Sequence, residues 1–587
     1  MADSLAVATM SSSASSAAPS APGALDRAVE ELRAHAAELA RLAPAAKAAL
    51  VRQCIPRLVD AAPAWAAAGA KAKGLGGDVS EDWLSGPLPV VRMARLLAAS
   101  LDAIAARGRP PLGARSQRRS DGRLAIDLFP GTALDRVLFS GFRGYVLMQE
   151  GVDRDAAVRQ QATFYQEREP EGGVSLILGA GNVSSIPPMD VLSKMFIEGY
   201  VCLLKMNPVN EWAGPFMERA LEPLIKPGYL RVVYGGADVG QYLVYHAGID
   251  DVHITGSDKT HDMIVWGPPG PERDRRMAAN EPLLNKPISS ELGNVSPVAI
   301  VPYAYSQDEL AFQARNVATM VANNASFNCN AAKMLITSKE WPQRDQFLQL
   351  VGACLDRFPT RRAYYPGAFD RYDSLVGGRP RVERHGQPGP GEADADKGGG
   401  PRRLPWTMIR DVDAGARTDP LFHTEPFCAI LSETSLGTAD PVEFLDSATR
   451  FMNDTLWGTL NACIVIHPKH EQDTTVGRAL DRAIVDLRYG TVGINHWPAL
   501  GYALGALPWG GHPSATLKNI QSGLGWVHNT FMLGGVDKSV VHGPLRVRPT
   551  PVWFYDNRKA TALGPKLLDM EASPSWWKLP GVLMRAL

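Results

Sequence analysis

The sequence predicts an α/β chain built from two doubly wound domains, and three observations lead there. Short apolar runs alternate with helical patterns over residues 173–289 and again over 290–500, an alternation that builds parallel sheets wrapped by helices. At 587 residues the chain is too long for one core. No stretch offers 18 uninterrupted apolar residues, so no membrane span is expected. Sheets of this type take ligands at the carboxyl ends of their strands, so chemistry is sought in the loops that follow strands.

Composition narrows the function class. The 61 basic residues balance 61 acidic ones, which leaves no global field for nucleic acid or an anionic membrane. Six cysteines at 54, 202, 329, 354, 428 and 463 form no C-x-x-C pair and no regular spacing. That pattern predicts free thiols in a reducing compartment, no metal site and a cytoplasmic protein. The N-terminus carries Asp3 and lacks a basic segment followed by an apolar one, unlike a signal peptide.

In chain order, the Ser/Ala-rich residues 1–24 predict a disordered N-terminus. Residues 25–140 form the N-terminal helical part of the cofactor-binding domain: Leu32, Ala36, Leu39 and Leu42 recur at helical spacing, and Pro110-Pro111 ends the pattern. Residues 141–172 mix Phe142, Tyr145, Phe164 and Tyr165 with charge, and predict a protruding oligomerisation hairpin. The dinucleotide-binding domain, 173–289, has strands expected at 174–178, 200–205, 231–234 and 252–254, with helices at 187–198 and 239–247. The catalytic domain, 290–500, has strands expected at 298–301, 333–337, 427–431, 462–466 and 491–495, and a helix at 309–322. Within it the Gly/Pro/charge-rich 377–403 predicts a low-complexity solvated insertion. Residues 501–587 return to the cofactor domain and end in a tail with Trp576-Trp577, expected to dock on the protein.

Cys329 stands in N-N-A-S-F-N-C-N-A-A-K, after a long helical pattern and before an apolar strand. That place suits a nucleophile at a domain junction, although an ordinary buried cysteine would read the same way. Gly179-Ala180-Gly181-Asn182-Val183-Ser184 resembles the start of a dinucleotide fingerprint without its third glycine. Asn182 in that loop is a candidate oxyanion donor, or simply a turn-stabilising amide. Lys205 ends the second strand, where a ribose is expected. Gly256-Ser257 ends another strand and opens a helix whose N–H groups can hold a phosphate. Glu291 in S-E-L-G-N, between turns at the expected domain boundary, and Glu425, two residues before Phe427 at the start of a strand, are further carboxylates.

Taken in this order these elements resemble the aldehyde dehydrogenase superfamily, over roughly residues 173–525. The family's L-E-L-G-G-K-S-P element appears as S-E-L-G-N-V-S-P, its cysteine element follows 38 residues later at Cys329, and its F-T-G-S element appears as I-T-G-S. The resemblance implies an aldehyde dehydrogenase-like fold with a small β oligomerisation element. It also implies Cys329 as nucleophile, Glu291 as general base and Asn182 as oxyanion donor. Lys205, Gly256, Ser257, Glu425 and Phe427 would bind the cofactor. The implied activity is NAD(P)-dependent oxidation of an aldehyde to an acid, in a homodimer or homotetramer. A CoA-acylating or reductive relative, or a silent homologue, stays open. So does NAD against NADP, with NAD slightly favoured, because Lys205-Met206-Asn207-Pro208 lacks the acid of the family's K-P-x-E. Cys428-Ala429 replaces the G-P that often follows E-x-F, and Ser326-Phe327-Asn328 departs from the usual run before the cysteine.

Overall fold

The computed structural model describes residues 18–113, 115–119, 121–387 and 402–586. Its smaller sheet is parallel and five-stranded, in the order Leu230–Val233, Val201–Lys205, Val174–Leu178, Asp251–Gly256, Ile288–Leu292. The strands are buried on both faces, which is why they read as continuous apolar runs. Helix Ile186–Phe196 packs beside them with every residue buried.

The N-terminal helices cover this sheet. Pro44–Lys73 lies along Pro87–Arg107, with Trp65 fully buried between elements. The Trp65 indole N–H donates to Ser184 Oγ at 2.9 Å, so this layer fixes the loop after the first strand. Helix Pro22–Arg41 begins inside the expected 1–24 tail, with proline at the N-terminal position that its fixed φ favours. Residues 1–17 of that tail lie outside the described residues.

The larger sheet has eleven strands: Ser116–Arg118, Leu124–Phe129, Arg143–Met148, Val536–His542, Thr491–Ile494, Asn461–Val465, Pro297–Ile300, Met334–Ser338, Ile430–Leu436, Trp406–Val412 and Val382–His385, in that spatial order. From Val536–His542 to Trp406–Val412 neighbouring strands are parallel, and both flanks are antiparallel.

Three expectations are corrected here. Residues 141–172 contain one strand, Arg143–Met148, followed by helix Arg154–Arg159 and a short 3-10 turn. The antiparallel partner of that strand is Leu124–Phe129 on one side and Val536–His542 on the other. Asp153 caps the helix by accepting from Ala156 N–H, which ends the extended run. The 377–403 insertion is not wholly solvated: Val382–His385 pairs with Trp406–Val412 as the sheet's outer strand, and 388–401 lie outside the described residues. Residues 501–587 serve both sheets. Ser290 and Leu292 N–H donate to Leu524 and Ser522 carbonyls at the edge of the small sheet, while Val536–His542 joins the large one.

Among the described residues no helix is long and apolar enough to cross a membrane, and no group of three or more His, Cys, Asp or Glu is placed to hold a metal.

Candidate active site

Cys329 follows helix Gln307–Ala322, which starts at a capping box between Ser306 and Glu309. The chain then makes an unusual approach to the cysteine: Asn324, Ala325 and Ser326 all take positive φ, at 52°, 54° and 67°. Left-handed backbone costs a residue with a Cβ roughly 1–2 kcal/mol, so this loop is held by its surroundings. Asn324 Nδ2 donates to the carbonyls of Asn182 (2.9 Å) and Phe327 (3.1 Å), and Asn324 N–H donates to Glu81 Oε2 at 2.7 Å. Glu81 is buried; burial pushes its carboxyl up, but Arg361 and Lys73 beside it win and hold it down to about 2. From the other side Lys333 Nζ, also buried, donates to the carbonyls of Ser326 (3.2 Å) and Asn328 (2.9 Å).

This clamp aims the thiol. Cys329 is half-buried, while the other five cysteines are buried. Its Sγ donates to Glu291 Oε1 at 3.4 Å, and its carbonyl accepts from Ser296 Oγ at 2.9 Å. Glu291 is 2% exposed and its Oε2 has no hydrogen-bond partner among the described residues. Burial pushes its carboxyl up to about 7. Burial, reinforced by the charges of Glu291 and Glu425, drives the Cys329 thiol well above its ordinary 9. The resting pair is therefore a protonated thiol beside a carboxyl that is about half ionised near neutral pH.

Asn182 lies beside this pair, with its Nδ2 donating to the Phe327 carbonyl at 2.9 Å. A second hydrogen on the same nitrogen is available for another acceptor.

Two cavities meet at Cys329, which lines both, as does Glu291. One, of about 810 Å³, runs along the carboxyl ends of the small sheet. It is lined by Asn182, Lys205, Gly256, Ser257, Glu425 and Phe427 together. Lys205 is buried at its strand end, and desolvation lowers its amine to about 8. Ser257 caps helix Asp258–Trp266 by accepting from Thr260 N–H, and the helix's first turn, whose other N–H groups have no partner within the helix, lines the cleft. Glu425 Oε1 has no partner among the described residues, and a Cβ on Gly293 would sit 1.8 Å from Glu425 Oε2. Glycine at 293 is therefore what lets the carboxylate into the cleft. Burial raises Glu425 to about 7 as well. Phe427 sits at φ 41°, with Tyr365 edge-on at 4.9 Å and the Lys333 ammonium 5.7 Å from its ring centroid. This twist explains why the next strand starts at Ile430 and not at 427.

An orphaned carboxylate oxygen, a lysine at a strand end and open helix N–H groups form a donor set suited to a sugar–phosphate chain such as a dinucleotide. The other cavity, of about 510 Å³, lies on the opposite side of the thiol. Trp497 lines it and donates from its indole to the Asn330 carbonyl at 2.6 Å.

The model of the aldehyde dehydrogenase family matches residues 139–360, a span that contains Asn182, Lys205, Gly256, Ser257, Glu291 and Cys329. Over that span the chain resembles the aldehyde dehydrogenase family. Geranial dehydrogenase from Castellaniella defragrans is 25% identical over 298 residues, which cover 49% of this chain and 54% of that one. The chain thus spans about half the length of this curated relative. Solved aldehyde dehydrogenase structures match over far more of the fold. NADP-dependent glyceraldehyde-3-phosphate dehydrogenase from Bacillus halodurans, complexed with NADP, is 17% identical with a TM-score of 0.57, covering 89% of this chain and 91% of that one. The NAD-dependent aldehyde dehydrogenase from Sinorhizobium meliloti is also 17% identical at 0.57, covering 91% and 89%.

Sequence reasoning did not assign roles to Lys333, Glu81 or Gly293. Lys333 carried a usable signal: a lone cation heading the apolar strand Met334–Ser338 must find buried acceptors. Glu81 carried none, because it reaches the loop from 243 residues away.

Proposed function

We propose that this protein oxidises an aldehyde to a carboxylic acid with NAD or NADP, through a covalent intermediate on Cys329. The observation that carries this reading is the half-buried thiol at the junction of two cavities, 3.4 Å from a carboxyl that burial raises to about 7. The aldehyde carbon enters beside Cys329, Glu291 takes the thiol proton, and the sulfur–carbon bond closes to a thiohemiacetal. The second hydrogen on Asn182 Nδ2 and the Cys329 backbone N–H would receive the oxyanion; losing one such donor costs about 100- to 1000-fold in rate.

A bound nicotinamide supplies the hydride acceptor that turns this adduct into a thioester. Lys205 and Glu425 would engage the cofactor's two riboses, Gly256 and Ser257 its pyrophosphate, and Phe427 would pack on the nicotinamide side. Glu291, which gives up the proton it has taken, then draws one from water, and the hydroxide attacks the thioester to release the acid and the Cys329 thiol.

The presence of Glu291 favours water over CoA as the attacking group. Geranial dehydrogenase and an NADP complex among the similar proteins agree with an aldehyde substrate and a nicotinamide cofactor. The exposed edge strand Ser116–Arg118 and the free cysteines fit a homodimer or homotetramer in the cytoplasm. The test is NAD(P)H formation from a panel of aldehydes, with and without CoA. Turnover without CoA that disappears in Cys329→Ala is expected; strict CoA dependence, or activity that survives Cys329→Ala, refutes the proposal.

A further inference from the structure

We infer that the cavity on the far side of Cys329 receives the hydrocarbon tail of a long-chain aliphatic aldehyde, and that the last helix, Leu579–Ala586, sets the length of tail it takes. The inference rests on Cys329 being the reacting nucleophile, since that fixes which end of the cavity holds the aldehyde carbon.

The cavity's 510 Å³ is ample for a ligand well beyond a few carbons. At the thiol end stand Glu291, Asn330 and Trp497. Beyond them the walls are hydrocarbon: Val183 and Ile186 from the small-sheet side, Leu500 and Leu504 after the Thr491–Ile494 strand, and Phe142 and Trp553 opposite.

The outer end is built by the C-terminal helices, whose Leu563, Met570 and Val582 form a separate small core with Leu134, Leu138 and Leu567. All of these except Leu134 line the cavity, joined by Leu583 and Ala586. This wall is one helix thick: Val582 is buried while Met584, two residues on, is 76% exposed.

Two arginines along this cavity are already engaged. Arg92 is held by Asp135 at 3.0 Å, by Glu571 at 2.5 Å and by the Leu504 carbonyl at 2.7 Å. Arg546 pairs with Asp308 at 3.0 Å. A tail ending in a carboxylate or phosphate would compete for these two arginines with carboxylates that already hold them, and an alkyl tail need not. The cofactor-side cleft, with Lys205, Arg371 and the unpartnered Glu425 oxygen, has the opposite character.

Straight-chain alcohols test the tail site apart from the chemistry. Titrated calorimetrically into the full-length Cys329→Ala protein, 1-butanol through 1-decanol should bind roughly fourfold more tightly per added methylene until the cavity is filled. Ala586→Trp should bring that plateau to a shorter alcohol, and Leu567→Phe, on a different helix, should do the same if the terminal helix does not tolerate tryptophan. Affinities that do not grow with chain length, or a plateau that neither substitution moves, would overturn the inference. In the unmodified protein the kcat/KM ratio of dodecanal to butanal should exceed one and fall at least tenfold in Ala586→Trp. An intact alcohol series with no aldehyde turnover would instead refute the role of Cys329 and leave the hydrocarbon site standing.

Discussion

Replacing Glu291 with glutamine probes the step that distinguishes hydrolysis from other fates of the thioester. Burial moves this carboxyl from an ordinary 4.5 to about 7, so it holds its proton more tightly by about 3 kcal/mol, at ~1.4 kcal/mol per factor of ten. At neutral pH roughly half the molecules then carry a carboxylate able to accept a proton, and that carboxylate is a much stronger base than an exposed glutamate. The kcat/KM of the unmodified enzyme should rise tenfold per pH step below 7 and level off above it, because the charged form is the active one. Glu291→Gln keeps the size of the side chain and removes the base, which is worth about 10²–10⁴ in rate. Steady-state turnover should fall by that factor and lose the limb near 7. About one NAD(P)H per active site should still form, more slowly than in the parent because Glu291 also takes the thiol proton, leaving an acyl group on Cys329 visible by intact-protein mass spectrometry. Turnover within about threefold of the parent, with the limb retained and no adduct on Cys329, would refute the reasoning.

Three further outcomes follow from neighbouring groups. Glu425 keeps its proton to about 7 when folded and loses it near 4.5 when unfolded, so its charge erodes stability as pH rises through that window; Glu425→Gln should raise the melting temperature at pH 8 and leave it nearly unchanged at pH 4.5. Lys205 is a cation below about 8 and neutral above; equilibrium titration should show NADP binding weakening between pH 7 and 9 more than NAD binding, if the extra phosphate lies beside it. Lys333→Met abandons the Ser326 carbonyl and leaves the Asn328 carbonyl with only the Ala331 N–H, at about 1–3 kcal/mol for a buried acceptor left unmet, and should lower both thermal stability and the rate at which iodoacetamide labels Cys329.

Much of the architecture was legible because parallel strands buried on both faces advertise themselves as apolar runs between helical patterns. Four of the five strands of the small sheet and the central strands of the large one fall within a few residues of those runs, while Ile288–Leu292, across the expected boundary at 290, does not. At the site, the residue types and their order were legible, because thiol, carboxylate and amide each sit at a strand or helix end. What was hidden depends on contacts distant in sequence. Strand Val536–His542 is recognisable only beside Arg143–Met148, and the misplaced hairpin over 141–172 came from reading aromatic residues without that partner. The outer strand Val382–His385 lay inside a segment whose glycines and charges masked it. The start of strand Ile430–Leu436 was set three residues early because nothing in Phe427 announces a positive φ. The tail cavity joins Val183 to Val582, and no local pattern encodes such a wall.

The order of strands in the large sheet also dictates when the molecule can be finished during synthesis. All strands of the five-stranded sheet have been made by residue 292, whereas the strand that joins the two parts of the eleven-stranded sheet ends at residue 542. Between the emergence of Arg143–Met148 and that of its partner Val536–His542, the ribosome adds roughly 400 residues, a wait of about 20–80 s at typical elongation rates. Throughout it an apolar strand containing Tyr145, Val146, Leu147 and Met148 presents an unpaired edge, the kind that seeks strands from other chains. Termination anywhere before residue 542 leaves that edge open, however much of the candidate site has already been assembled.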